Sequence, residues 1–448
     1  LNTLIGSADF EHFPDAFYRC WISDSMLKRF GPDGMFLDLK ELVQENAPNL
    51  CKALDEMDAW SNVLDPETGA MYSVPELNSA LSARMHPKMF FNKKMLEAVG
   101  GKVPTTTDEL YELLVKVRDA DANGNGDAND EIGVTSNGLS NVLRAFTGAF
   151  GLNNRGREDL SVDADPSDPT KIRFVYTCDS YRQYLAYVAK LYQEGLIDPE
   201  LFELSTAKMV AKGSQDMIFC LSYINCQAAS VNADDYVGLE VALKGPNGDQ
   251  QWNNMNKGVG LGAFAISPTC KDPATLVRWI DSFYTDEGAK MFYFGKEGED
   301  FYYDENGLPA YNQEILDQVS AENPYDKVIS AISPYASGTL PVLIKDEFFC
   351  GAECRGVNLE TAKNLEPYVN QITWKFNFTT EESEELSPLT ADLITNCHDV
   401  YRAKFIKGEL DVNDDAAWQS YVDEMQSLGL ERYIEIYQGA LDRMQAQN

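Results

Sequence analysis

The stretch PTTTDELYELLVKVRDADANGNGDANDEIG (residues 104–133) carries a helix straight into a loop crowded with oxygen donors. Thr106 is placed to cap the helix, and Glu109, three residues later, is its capping-box partner. Leu110, Leu113, Leu114 and Val117 then recur at the spacing of one helix face. At Asp121 the pattern changes. Asp121, Asn123 and Asn125 alternate along the loop, Gly126 follows where a sharp turn is needed, and Asp127 offers its backbone carbonyl. Alternating oxygens around a glycine suit calcium, a hard cation that takes about six to eight oxygen ligands. The bidentate Glu that ends an EF-hand loop is missing, because Ile132 stands there. Glu131, with Asp130 or Asn129, must close the shell instead. The expectation is a variant loop holding a structural calcium ion; the alternative is an Asn/Gly-rich surface turn without metal.

The chain has 448 residues, and at about 150 residues per domain this predicts two or three domains. Hydrophobic residues make up 44%, enough for a full core. Against 71 acidic side chains stand 37 basic ones, a net charge of −34. That balance excludes nucleic acid as a partner, since its phosphates demand a basic footprint. It also excludes a basic face resting on an anionic membrane. No apolar run approaches the ~20 residues of a membrane span. The opening LNTLIGSADF is not a secretory leader, so the chain reads as a mature or trimmed form.

Nine cysteines are scattered along the chain, an odd number. CGAEC (350–354) suits a disulfide or half a metal site, but no second pair with zinc spacing follows. The reading is unpaired, mostly buried thiols, as in a reducing or anaerobic habitat. The histidines are His12, His86 and His398, none paired in sequence with a plausible Ser or Cys nucleophile. There is no G-x-S-x-G, H-E-x-x-H or P-loop, and acidic pairs such as Asp234–Asp235 carry no glycosidase signal in so acidic a chain. No catalytic residues are therefore assigned.

A helix is expected over 180–194, with Tyr181, Tyr184, Leu185, Val188 and Leu191 on one face and Gly195 as its stop. Residues 258–267 read as a buried strand, followed by two helices divided at Thr285–Gly288. Trp418, Tyr421, Val422 and Met425 line another helix, Gly429 breaks it, and Tyr433 to Leu441 begin the last one. Strands are also predicted at 217–224 and 371–378, completing an α/β alternation. Such folds place ligands outside the strand ends.

Four segments together resemble the extracellular solute-binding proteins of ABC importers, in the group that captures oligosaccharides. They are residues 89–133, LYQEGLIDPELF (191–202), the run from GVGLGAFAISPT to EGEDF (258–301), and the end from AKFIKGEL to YQGALDRM (403–444). The order is that of the family. LIGSADFEHFPDAFY (4–18) resembles a segment that members reach only after an initial strand, helix and strand, so the expectation is either natural sequence before Leu1 or a first lobe that is built differently. The resemblance implies an α/β, two-lobed periplasmic-binding-protein-like fold of type II, closing on its ligand through a hinge. It places the first lobe at 1–98 and 260–325 and the second at 99–259 and 326–448. It implies capture of an oligosaccharide, delivery to ABC permease subunits, a monomer, and an extracellular, lipid-anchored setting in a Gram-positive bacterium.

Sugars offer apolar C–H faces rimmed by hydroxyls, so a site needs aromatic platforms and bidentate polar partners. Trp279, Trp374 and Trp418 lie in apolar patterns and read as core. Trp60 and Trp252 do not, and are the expected platforms, with Tyr223 and Asp9 as further candidates. Two other functions fit the same residues: a calcium-stiffened polysaccharide-active enzyme, and a ligand-loaded sensor that docks on a membrane receptor.

Overall fold

The computed structural model describes residues 12–446, apart from 21, 66, 158, 231–232, 254–257, 306, 321, 324, 334–339, 349–353, 371–373, 375 and 377. The described strands are β1 (Ala16–Tyr18), β2 (Val74–Asn78), β3 (Lys88–Asn92), β4 (Ile132–Thr135), β5 (Val162–Asp165), β6 (Asp168–Phe174), β7 (Ile218–Tyr223), β8 (Tyr236–Gly238), β9 (Gly258–Ile266), β10 (Phe301–Tyr303), β11 (Pro309–Tyr311) and β12 (Leu343–Ile344). The chain divides into two compact units, 1–84 with 257–354 and 85–256 with 355–448.

In the first unit β9 lies between β1 and β2, antiparallel to both, and β12 adds to β2 in parallel. Phe264 and Ile266 of β9 and Val74 and Leu77 of β2 point into one core with Leu39, Leu50, Leu54, Ile280 and Tyr293. In the second unit the order is β4-β7-β3-β8, with β4 parallel to β7 and the other pairs antiparallel. Phe90 and Phe91 of β3 and Phe219 and Leu221 of β7 are fully buried, as expected of strands covered on both faces.

The unit boundaries differ from those expected. Residues 85–98 belong to the second unit, because β3 is hydrogen-bonded between β7 and β8. Residues 326–354 belong to the first, because β12 pairs with β2. Strand pairing over such distances has no local signal. The strand expected at 371–378 is not formed at Trp374, Phe376 or Phe378, and the rest of it lies outside the described residues. Its alternation serves another purpose. Phe376 and Phe378 both stack edge-on against Tyr437 at 5.1 Å, docking this segment on the last helix, Leu430–Ala446.

Local signals fare better. The helix Thr107–Arg118 is capped by Thr106, whose side chain accepts from the Glu109 amide. The Glu109 carboxylate, however, reaches Thr105 N and Oγ1, both at 2.8 Å, instead of the capping residue. The helices Asp179–Gln193, Pro273–Asp281, Asp286–Phe294, Asp415–Ser427 and Leu430–Ala446 follow their apolar stripes. Trp374 and Trp418 are buried, but Trp279 is 49% exposed. It meets Phe283 and Phe264 in edge-to-face contacts, with ring centroids 5.1 and 6.4 Å apart. Cys20, Cys51, Cys178, Cys220, Cys226, Cys270 and Cys397 are free thiols, and Cys350 lies outside the described residues.

Candidate functional site

The loop after the 107–118 helix is wound around its own oxygens. Asp121 accepts from the amides of Asn125 and Gly126, both at 3.0 Å. Asn123 Oδ1 accepts from Asn125 N at 3.0 Å, and Asn125 Oδ1 from Asp127 N at 2.7 Å. Gly124 and Gly126, at φ 74° and 95°, supply the left-handed turns that this winding requires. Glu131 Oε1 holds the amides of Ala122 and Asn123, while its Oε2 is buried without a hydrogen-bond partner. Asp130 does not face the same way. Its two oxygens accept from the side-chain amides of Asn123 and Asn125, at 3.1 and 2.6 Å, so it braces those residues from behind. Among the described residues no group of three or more Asp, Glu, His or Cys could by itself hold a metal. A cation here would therefore depend on asparagine and backbone oxygens as well. The orphaned Oε2 fits that demand, since a buried carboxylate oxygen left unmet costs more than ~1–3 kcal/mol.

The expected sugar contacts are not gathered in one place. Trp60 opens a short helix of the first unit, packs partly on its core and donates Nε1 to Asp55 at 2.6 Å. Tyr223 ends β7 in the second unit, with its ring edge-on to His86 at 6.0 Å. Asp9 lies outside the described residues. Trp252 is only 3% exposed, so it presents no open platform. Its amide donates to Tyr368 O at 2.9 Å, its backbone bridges to Val369, and its buried indole N–H has no partner.

The neighbouring residue is the one that reaches a cavity. Asn253, itself buried, lines a pocket of about 130 Å³ in the second unit. Its Nδ2 donates to Thr147 Oγ1 at 2.7 Å and Leu152 O at 2.8 Å, and its Oδ1 accepts from Asn154 N at 3.2 Å. Close backbone packing sets this position. A Cβ on Gly148 would lie 1.9 Å from Gln251 O, and one on Gly245 would lie 1.7 Å from Ala149 O. Only glycine permits that approach. The loop bearing Asn154 is tied down by Asp163, a buried acid paired with Arg155 at 2.7 Å and Arg173 at 2.9 Å.

Opposite Asn253 the wall is aromatic and cationic: Tyr176, Tyr181, Tyr184 and Arg402. Behind it His398 stacks on Tyr176 with ring centroids 3.7 Å apart. Its Nε2 meets the Tyr181 hydroxyl at 2.7 Å, and its Nδ1 meets Asp399 at 3.1 Å. Burial chiefly pushes the imidazole pKa down to about 4, the Asp399 hydrogen bond opposing. The ring is thus neutral near pH 7, with Nδ1–H donating to Asp399 and Nε2 accepting from Tyr181. Asp399 also holds Arg402 at 2.9 Å. These groups come from a π-helical stretch, Ala391–His398, and the helix Asp399–Lys407 after it. Pro388, inside the preceding helix, lacks the amide that would continue the regular ladder. Wide turns of this kind recur at functional sites.

No family model matches the chain. It is 25% identical to the fructooligosaccharide ABC transporter substrate-binding protein FusA of Streptococcus pneumoniae serotype 4, over 99% of this chain and 82% of FusA. The structure of a FusA EF-hand mutant in complex with fructo-nystose superposes with a TM-score of 0.76 at 23% identity, covering 100% of this chain and 90% of that one. The alginate-binding protein AlgQ2, solved without calcium ion, gives a TM-score of 0.74 at 18% identity, covering 98% of this chain and 88% of its own. The chain has the solute-binding-protein fold. Lipoprotein LipO of Bacillus subtilis is 28% identical over 48% of this chain, a match spanning 42% of LipO.

Part of the pocket wall comes from a helix that follows a strand of the second unit. Ser140 and Arg144, also in its lining, lie on the helix Leu139–Thr147 that follows β4. Asn154, Tyr176, Asn253 and Arg402 carried no distinguishing signal in the sequence. Each is an ordinary polar or aromatic residue locally, and only the packing of the unit brings them together.

Proposed function

We propose that the chain captures an oligosaccharide outside the cell and hands it to the permease of an ABC importer. The observation that carries this reading is the similarity to a fructooligosaccharide substrate-binding protein along 99% of the chain. The tyrosine- and asparagine-lined pocket supports it, because aromatic faces and amides are the groups that bind sugar C–H surfaces and hydroxyl pairs. It is a binding protein and not an enzyme, as its relatives are substrate-binding proteins. We extend to it a lipid anchor, after LipO, and a monomeric state. No helix among the described residues is long and apolar enough to cross a membrane.

Asn253, Asn154 and Tyr176 are the proposed sugar contacts of the second unit, and Tyr223 remains a further candidate. In the first unit the partly exposed indole of Trp60 and the carboxylate of Asp9 keep that role. The loop is proposed to bind calcium through Asp121, Asn123, Asn125, the Asp127 carbonyl and Glu131, with Asp130 bracing the asparagines. FusA is described with an EF-hand, which supports this reading. Calcium would supply rigidity and neutralise clustered carboxylates. A thermal-shift screen against a glycan panel, followed by calorimetry on any hit, tests the function. The expected result is saturable binding of at least one oligosaccharide with no product formed. Absence of binding across the panel, or turnover that persists through repurification, overturns it.

A further inference from the structure

We propose that the ligand carries a carboxylate, and that Arg144 and Arg402 read it in the pocket beside Asn253; this rests on the oligosaccharide reading and narrows it to uronic-acid-type sugars. The first observation is charge. The chain has 71 acidic side chains and 37 basic ones, yet the described residues lining this pocket include two arginines and no Asp or Glu. A neutral sugar would be served by the short acids and amides that such a chain has in abundance. The second observation is the state of Arg402. Asp399 engages its guanidinium through Nη2 at 2.9 Å, while Nε is buried with no hydrogen-bond partner. A buried charged donor left unmet is costly, and a planar carboxylate matches the two-pronged edge of a guanidinium.

The third observation is the potential around the second arginine. Arg144 and Lys88 both act on His86, and together with burial, the largest cause, they lower its pKa to about 4. Lys88 is itself fully buried in β3. Arg144 and Lys88 thus both lie close enough to His86 to act on it, while Asp399 pairs with Arg402 of the pocket wall. The overall charge of −34 does not cancel the effect of these cations. Charges farther away than the ~8 Å Debye length at physiological salt are largely screened, whereas groups in the pocket wall are not.

The test is calorimetry on the full chain with uronate tri- and tetrasaccharides of gluco, galacto and manno configuration, each beside its neutral methyl ester. Neutral fructo-oligosaccharides form a third arm. The expected result is that one acidic sugar binds at least tenfold more tightly than its ester. Arg144→Gln and Arg402→Lys should each remove that preference, the latter because it keeps the charge and loses the fork. Arg144→Gln serves as the decisive variant if Arg402→Lys lowers the melting temperature. Equal or tighter binding of a neutral sugar overturns the proposal while leaving oligosaccharide capture intact. So does an acid preference that survives both substitutions. Silence in all three arms overturns the carbohydrate reading, and this proposal with it.

Discussion

In the loop 121–131, the hydrogen bonds that Asp121, Asn123, Asn125 and Glu131 make with one another's segment close within nine residues of sequence. Around the pocket, Asn154 meets Asn253 across 99 residues and Tyr181 meets His398 across 217. Both structures lie in the second unit, and both depend on asparagines held in place by a few well-placed glycines. The loop needs little beyond its own thirteen-residue neighbourhood, roughly the length of an EF-hand loop. The pocket exists only when helices and strands from much of the unit have docked. Agents that act on packing should therefore strike the pocket, and agents that act on oxygen ligands should strike the loop. Four measurements can break that separation or sharpen it.

The largest effect is expected from acid, acting on the pocket. His398 falls from an ordinary 6.5 to about 4, chiefly through burial, so the unfolded chain takes up its proton first. Stability from this residue is complete above pH 6.5 and is lost as pH falls towards 4. At about 1.4 kcal/mol per pH unit the loss approaches ~3 kcal/mol. His398→Gln keeps an acceptor for Tyr181 and a donor for Asp399 but cannot titrate. Denaturant melts between pH 7 and 4 should therefore show a shallower fall for the variant; parallel curves would detach His398 from acid sensitivity.

Next comes chelation, acting on the loop. A calcium ion present at 100 times its dissociation constant, and bound only by the native state, stabilises by ~2.7 kcal/mol. Removing it should lower the melting temperature while changing glycan affinity less than twofold. An unaltered melt, with no metal found by elemental analysis, would dismiss the ion. A large loss of affinity would instead show that loop and pocket are coupled.

Asn253→Ala should weaken glycan binding about tenfold, or ~1.4 kcal/mol, by removing a polar contact and loosening Asn154 and Thr147. Calorimetry of a folded variant with unchanged affinity would move the site elsewhere. The smallest change is expected from Trp252→Phe. The indole is buried and its N–H bonds to nothing, so affinity should shift less than twofold, under ~0.4 kcal/mol. A tenfold loss would restore Trp252 as a sugar platform.

The same contrast governs what could be read in advance. Thr106, the Leu110–Val117 stripe and the glycines of the loop were legible because capping, helix periodicity and positive φ are matters of a few consecutive residues. Gly195 and Gly429, at φ 72° and 97°, were legible as stops for the same reason. The 371–378 alternation misled, because period-two aromatics suit an edge-on dock against Tyr437 as well as a strand. Trp252 misled in the opposite sense. Its polar neighbours suggested exposure, yet the bridge to Val369 turns the indole inward and Asn253 towards the pocket.

The sequence by itself determined the α/β alternation, the main helices and their ends, and a loop rich in alternating oxygen donors; the two-lobed arrangement was implied by the resemblance and not by any local pattern. The local properties rest on turns, caps and periodicities whose partners lie within one or two turns of chain. Tertiary structure alone decided that β3 joins the second unit and β12 the first, and that Arg144, Asn154, Tyr176, Asn253 and Arg402 share one cavity. Each of those meetings closes a loop of tens to hundreds of residues. The free energy that holds it comes from burying distant surfaces against one another, which no local stretch of residues records.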